Sequence, residues 1–205
     1  MLKHQSVRGV AVAKFFGNLN AVVVTGFALM LALLFWSMSA SGYAGANWAG
    51  WMTFLHVISG VMWIGLLYYF NFVQIPTMPT VPAELKPAVS KYIAPKALFW
   101  FRYAALVTVI TGLLVAYLNG YAHQAFTFQE GFRLIGIGMY LALIMAFNVW
   151  FVIWPNQKKA LGLVEADADT KAKAAVTAMI FSRTNTLLSV PMLFAMVLQR
   201  LGGAW

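Results

Sequence analysis

One apolar run limits the fold of this chain more than any other feature. Residues 50–76 read GWMTFLHVISGVMWIGLLYYFNFVQIP, which is long enough to cross a bilayer as a helix. At about 100° per residue, one stripe of that helix carries the residues His56, Gly60, Trp63, Leu67 and Gln74. A polar group in hydrocarbon is costly unless it is paired, so we expect this stripe to face protein or a cofactor.

The composition places the whole chain among integral membrane proteins. Its 205 residues are 62% hydrophobic and only 9% charged, which excludes an ordinary soluble core. Cysteine is absent, and this excludes disulfides, thiolate catalysis, iron–sulfur clusters and covalently attached c-type haem. Any cofactor must therefore be held by histidine, methionine or oxygen ligands.

Five apolar runs predict an all-α integral membrane protein, a bundle of five transmembrane helices. Each run is close to the ~20 residues that span a bilayer as a helix. The connecting loops are too short to build a soluble core, so residues 1–205 are expected to form a single membrane domain. The predicted spans are residues 21–40, 50–75, 97–117, 132–154 and 174–201. Prolines predict that helices stop at Pro76, Pro79, Pro82, Pro87, Pro95 and Pro155.

The basic residues predict the orientation of the bundle. Of the 14 lysines and arginines, only Arg133 and Arg200 fall on the side opposite to the amino terminus. The positive-inside rule therefore predicts a cytoplasmic amino terminus and a carboxyl terminus outside. Topology accounts in this way for the net charge of +9, so no nucleic-acid partner is expected.

The fifth span is the most polar of the five. Spacing at i, i+3, i+4 and i+7 places on one face the residues Ser182, Asn185, Thr186 and Ser189. Because the predicted spans contain no Asp or Glu, arginines at membrane depth have no buried acid to pair with. Either they reach lipid phosphates while the amides join helices, or they bind a substrate or another anion such as a carboxylate. The residues of that predicted pocket are Arg102, Asn148, Arg183 and Asn185.

His56 also has two interpretations. It is either a neutral histidine hydrogen-bonded to a neighbouring helix or an axial ligand of a b-type haem, whose flat ring Gly60 and Trp63 would accommodate. The second ligand would be His123 from an outer loop, a methionine, or His56 of another copy of the chain. His4 lies on the opposite side of the membrane and is not a candidate.

Several motifs resemble the membrane domain of bacterial membrane-bound urate oxidases, also called urate hydroxylases. The most specific of them is the run that ends in Pro-Asn-Gln-Lys, and the resemblance extends from about residue 51 to 196. The motifs are FLHV at 54–57, WIG at 63–65, YYF at 68–70, FNVWFVIWPNQKK at 147–159 and PMLF at 191–194. Where the family's last helix is expected to carry His-Asn-Asn-Tyr, this chain has Thr-Asn-Thr-Leu at 184–187, so only Asn185 is retained.

The resemblance implies a redox-related protein of the bacterial inner membrane with a periplasmic carboxyl terminus. In the family, a cytochrome c domain follows the membrane domain, whereas this chain is expected to be stand-alone and to pass electrons to or from a separate cytochrome. Whether it is an enzyme is left open. The alternative function is a non-catalytic accessory subunit of a larger respiratory or monooxygenase complex. The expected partners are the lipid bilayer, a cytochrome c or such a complex, and a second copy in a homo-oligomer.

Overall fold

The computed structural model describes residues 7–41 and 47–200 of the chain, and the side chains of residues 12–39 and 47–199. All regular elements in these ranges are helical, as the apolar runs predict, and no strand occurs in them. Lys3 and His4, which entered the predicted topology, lie outside the described residues. The chain divides into two compact units, Met1–Asn47 and Trp48–Trp205, each described here by itself.

Ten α-helices make up most of the described chain. They are α1 (Val7–Phe16), α2 (Leu19–Ser41), α3 (Trp48–Tyr68), α4 (Ile75–Thr77), α5 (Lys86–Ala88), α6 (Ala94–Leu118), α7 (Ala122–Phe126), α8 (Arg133–Phe147), α9 (Trp154–Ala160) and α10 (Ala168–Arg200). Three π-helical segments, Tyr69–Gln74, Val89–Ile93 and Asn148–Ile153, and one 3-10 turn, Met78–Thr80, continue these helices without a break.

Among the described residues, five helical stretches are long and apolar enough to cross a membrane, which confirms the predicted number of spans. In chain order they are the first span (Leu19–Ser39), the second (Trp48–Thr80), the third (Lys86–Leu118), the fourth (Arg133–Ala160) and the fifth (Ala168–Gln199). Each overlaps one predicted apolar run, and the last four extend into the predicted loops. The chain is therefore a multi-pass helical membrane protein.

The prediction that helices stop at the prolines is wrong for Pro76, Pro95 and Pro155. Each of these prolines lies in the first turn of an α-helical segment, and each follows a π-helical segment that ends two residues earlier. A proline lacks the N–H of an α-helical hydrogen bond and its ring clashes with the carbonyl four residues before it. The wider π-helical turn, with bonds five residues apart, lets the helix continue through that position. Pro82 does lie in a real helix break, between the second and third spans.

Within the second unit, the second span packs mainly against the third, and the fourth packs mainly against the fifth. A core joins the two pairs, and its fully buried side chains include Trp63, Leu67, Phe101 and Met145. Burial of aromatic and aliphatic side chains of this size contributes most of the packing energy between helices. A smaller apolar cluster lies around α7 and the start of the fourth span.

The fifth span begins at a capped helix end. Asp167 precedes α10, and its carboxylate accepts hydrogen bonds from the Thr170 backbone N–H at 2.8 Å and from the Thr170 hydroxyl at 2.7 Å. These hydrogen bonds lower the pKa of Asp167 below its ordinary value. The carboxylate satisfies one of the free N–H groups of the first turn, and its negative charge lies where the helix dipole favours it.

Candidate functional site

The polar face of the fifth span is turned inward. Asn185 and Ser189 are fully buried, Ser182 is buried and Thr186 is half-buried. These four residues share one face, as their spacing predicts. The face is covered by polar side chains of the second and fourth spans, so its contacts define the polar interior of the second unit.

Two asparagines at the centre of this interior bond to each other. The Asn148 Nδ2 donates to Asn185 Oδ1 at 2.9 Å, and Asn185 Nδ2 donates to the backbone carbonyl of Met145 at 2.9 Å. Asn148 is the first residue of the π-helical segment of the fourth span. The pair therefore links the fourth and fifth spans through side-chain amides. Both the oxygen and the nitrogen of the Asn185 amide have a hydrogen-bond partner within the chain.

Two residues of the second span complete the polar interior, and sequence reasoning did not assign either to the site. The Tyr68 hydroxyl and the Ser189 hydroxyl are 3.0 Å apart, and Asn71 Nδ2 donates to the Ser182 hydroxyl at 2.8 Å. The sequence does contain a pattern that points to Asn71. It lies four residues after Leu67, which belongs to the predicted stripe, and residues four apart are neighbours on a helix surface. Asn71 Nδ2 also donates to the carbonyl of Leu67 at 2.9 Å.

The two candidate arginines differ in their surroundings. Arg183 is exposed, so the structure does not place it with Asn148 and Asn185 as the predicted pocket required. Arg102 is only 8% exposed. The two asparagines share one hydrogen bond, Asn185 also donates to the Met145 carbonyl, and Arg102 makes no hydrogen bond with either asparagine.

The guanidinium of Arg102 lies over an indole. Its central carbon is 3.3 Å from the centroid of the Trp154 ring, and Lys158 Nζ is 5.6 Å from the same centroid. Stacking of this kind is a cation–π interaction, which uses the flat face of the guanidinium. Arg102 Nε and Nη1 are enclosed without any hydrogen-bond partner.

Other enclosed polar atoms also lack a hydrogen-bond partner in the described part of the chain. Together with Arg102 Nε and Nη1, they are Trp63 Nε1, Asn71 Oδ1, Gln74 Oε1, Trp150 Nε1 and Gln157 Oε1. Most buried polar groups in proteins are paired, so these atoms are exceptions that call for an explanation, of which a bound water or ligand is one.

His56 is fixed between the second and third spans. Its Nδ1 is 2.8 Å from the backbone carbonyl oxygen of Thr108, and because this oxygen can only accept a hydrogen bond, Nδ1 must be the protonated nitrogen that donates it. A Cβ added at Gly112 would come within 2.8 Å of His56 Cε1, so the absence of a side chain there makes room for the ring. The Thr108 hydroxyl is 3.1 Å from the Ser59 hydroxyl beside it.

The other residues predicted around His56 lie in different surroundings. Gly60 faces Thr108, and Trp63 is completely buried, so the predicted stripe does face protein. His123 is exposed on α7, and no hydrogen bond joins it to His56. Within residues 7–41 and 47–200, no group of three or more His, Cys, Asp or Glu residues could hold a metal ion.

These features define a multi-pass helical membrane protein with a polar interior between its spans. Residues 113–203 match a family model described as Urate oxidase N-terminal, which confirms over that stretch the resemblance predicted from the residues. No curated protein and no solved structure matches the chain. The matched residues include Asn148, Trp154 and Asn185, whereas His56 and Arg102 precede them.

Proposed function

We propose that the chain is a redox protein of the bacterial inner membrane, that it binds a b-type haem through His56, and that it passes electrons to or from a separate cytochrome. The family match supports a relation to urate oxidase membrane regions. The distribution of basic residues supports a cytoplasmic amino terminus and a periplasmic carboxyl terminus.

The observation that carries the proposal is the way in which His56 is held. A histidine that donates from Nδ1 to a carbonyl keeps the lone pair of Nε2 for a ligand bond, and this hydrogen bond also makes Nε2 more basic. The 2.8 Å contact with Thr108 provides this arrangement, and His56 Nε2 has no hydrogen-bond partner among the described residues. This arrangement supports His56 as an axial ligand, because it leaves the Nε2 lone pair for a ligand bond.

The residues around His56 fit a haem better than a bare metal ion. A bare ion needs three or four protein ligands, and the described residues contain no such group. A haem supplies four nitrogen ligands itself, so one or two protein ligands are enough. The second ligand is open among His123, a methionine and a second copy's His56.

Two residues of the third span that contact His56 have definite roles in this proposal. The Thr108 carbonyl holds the proton at Nδ1, and the bare backbone of Gly112 lets the ring lie against the third span. Trp63, on the same stripe, offers a buried N–H without a partner. A bound haem would supply one-electron transfer at this place.

The first test is an absorption spectrum of the full chain, purified in mild detergent with haem supplied, before and after dithionite reduction. We expect a Soret band and a reduced α-band that are lost in His56→Ala. His123→Asn tests the second ligand: the bands should change if His123 is that ligand and stay as in the wild type if the second ligand is a methionine or His56 of another copy. A flat visible spectrum of the wild type would refute haem binding.

A second candidate function, an accessory subunit of a larger membrane complex, rests on the asparagine pair. Because Asn148 and Asn185 are bonded to each other, they join helices and leave little for a substrate to bind. This function predicts co-purification with larger subunits after mild extraction. A monodisperse protein that contains only copies of this chain would count against it.

A further inference from the structure

We propose that Arg102, Trp154 and Lys158 form a binding site for one oxyanion, a phosphate or a carboxylate group. The source that their position favours is the headgroup of an anionic phospholipid. The site shares no residue with the His56 site, so it does not depend on haem binding.

The first step of the argument is the missing partner of Arg102. A buried cation is costly unless an acid or several acceptors compensate for its lost hydration. Arg102 is 8% exposed, and neither an ion pair nor a hydrogen bond to its guanidinium exists in the described part of the chain. The protein thus holds a buried charge in place and leaves it uncompensated.

The second step is the geometry of the guanidinium. Its N–H groups point outward in its own plane, so stacking on Trp154 at 3.3 Å uses none of them. Nε and Nη1 are enclosed, whereas Nη2 is not. Either pair of nitrogens that can grip two oxygens of an anion, Nε with Nη2 or Nη1 with Nη2, contains this open nitrogen.

The third step is the second cation. Lys158 Nζ lies 5.6 Å from the centroid of the same indole, and no ion pair joins it to a carboxylate within residues 47–200. Two positive side chains that share one aromatic ring repel each other in the absence of an anion. An oxyanion between or beside them would relieve this repulsion and supply the acceptors that Arg102 lacks.

The position of the site favours a lipid as the source of the anion. Trp154 and Lys158 both belong to α9, at the end of the fourth span. Tryptophan and lysine at the end of a span lie at the depth of lipid headgroups. Basic pockets between transmembrane helices are known to bind phospholipid headgroups, and this site is formed between the third and fourth spans.

Native mass spectrometry of the full chain in mild detergent tests this proposal. The probes are phosphatidylglycerol, phosphatidylcholine of the same acyl chains, and inorganic phosphate as a competitor. We expect phosphatidylglycerol to bind more tightly than phosphatidylcholine. We expect Arg102→Gln to weaken this binding at least about tenfold, the ratio that loss of a charge-assisted hydrogen bond gives.

The matched control for the second cation is a neighbouring lysine. Lys158→Gln should weaken binding by a smaller factor, whereas Lys159→Gln should leave it unchanged because Lys159 is exposed and does not contact the indole. If Arg102→Gln does not fold, Arg102→Lys serves in its place, since it keeps the charge and loses the planar pair of donors.

The outcomes separate the two sources of the anion. Preference for phosphatidylglycerol that millimolar inorganic phosphate does not reverse would support a lipid site, and reversal by phosphate would support a site for a soluble anion. Equal binding of both lipids without any effect of phosphate would overturn the proposal. So would an Arg102 variant that binds phosphatidylglycerol as the wild type does.

Discussion

The asparagine pair and Arg102 are both buried polar groups of the second unit, but only the asparagine pair makes hydrogen bonds to other described residues. Asn185 finds all its partners inside the chain, with bonds to Asn148 and to the Met145 carbonyl. The guanidinium of Arg102 lies on the face of Trp154 and has no hydrogen-bond acceptor among the described residues. Satisfied groups of this kind hold helices together, whereas an unsatisfied buried group is an exception that calls for an explanation.

His56 lies between these two cases. One ring nitrogen donates to the Thr108 carbonyl, and the other has no hydrogen-bond partner in the part of the chain that the structure describes. The same contrast underlies the three roles that we propose within the second unit: joining helices for the asparagine pair, orienting a ligand for His56 and binding an anion for Arg102. The predictions below test whether stability and ligand binding divide in the same way.

The largest expected effect is on stability, from Asn185→Ala. The substitution leaves Asn148 Nδ2 without its acceptor and removes one of the two donors to the Met145 carbonyl, so we expect a loss of about 3 kcal/mol in the free energy of unfolding. Unfolding in mixed detergent and dodecyl sulfate measures it. Thr184→Ala is the control, because Thr184 is exposed and bonds only within its own helix, and it should change stability by less than about 0.5 kcal/mol. Equal losses in both variants would contradict the structural role of the pair.

The next effect concerns His56 and is produced by Gly112→Ala. The added methyl group would displace the imidazole from the Thr108 carbonyl, at a cost of about 1–3 kcal/mol, and should abolish the proposed Soret band. Gly65→Ala is the matched control, since a Cβ there meets no atom within 4 Å. That control should be neutral or stabilising by about 0.5–1 kcal/mol. A Gly112 variant with unaltered stability and spectrum would show that the ring is not held as described.

A smaller effect, of opposite sign, is expected for Arg102→Met in lipid-free detergent. Removing an uncompensated buried charge should raise stability by about 1 kcal/mol, after the loss of stacking on Trp154 is allowed for. Thermal unfolding with and without phosphatidylglycerol measures this. The lipid should stabilise the wild type and not the variant. A variant less stable than lipid-free wild type would mean that the chain itself compensates the charge.

The smallest effect is expected at Asp167, which is fully exposed at the start of α10. Because the pKa of this carboxyl is lowered in the folded protein, its contribution to stability is complete above the ordinary aspartate pKa of about 3.9. The contribution is lost as the pH falls through the lower folded-state pKa. Asp167→Ala should therefore be slightly less stable than the wild type at pH 7, and the difference should shrink in acid. A difference that is independent of pH would exclude the carboxylate as its source.

The sequence was sufficient to predict the number of spans and the inward polar face of the fifth span. Both depend on local patterns: the length of an apolar run, and a spacing of three, four and seven residues around Asn185. The stripe through His56 and Trp63 likewise follows from the spacing of residues around a single helix. Each of these features is a property of one helix alone.

Features that depend on two helices could not be predicted in this way. That Asn148 meets Asn185, that Trp154 lies under Arg102, and that Gly112 faces His56 all depend on how far neighbouring helices slide and rotate. Arg183 was grouped with Asn185 from its depth, but its direction around the helix leaves it exposed. The prediction that helices stop at Pro76, Pro95 and Pro155 is wrong for a related reason. The π-helical turn that accommodates each proline lies before it, and the proline itself does not reveal that turn.

The three π-helical segments before Pro76, Pro95 and Pro155 also affect how related chains should be aligned. A π-helical turn contains one residue more than the α-helical turn it replaces, so a relative that lacks it would be one residue shorter inside the membrane. Sequence alignments usually place such a one-residue gap in a loop and not inside a helix. Every residue between the true gap and the nearest loop would then be paired with the wrong neighbour, and buried asparagines such as Asn71 and Asn148 would appear to be variable.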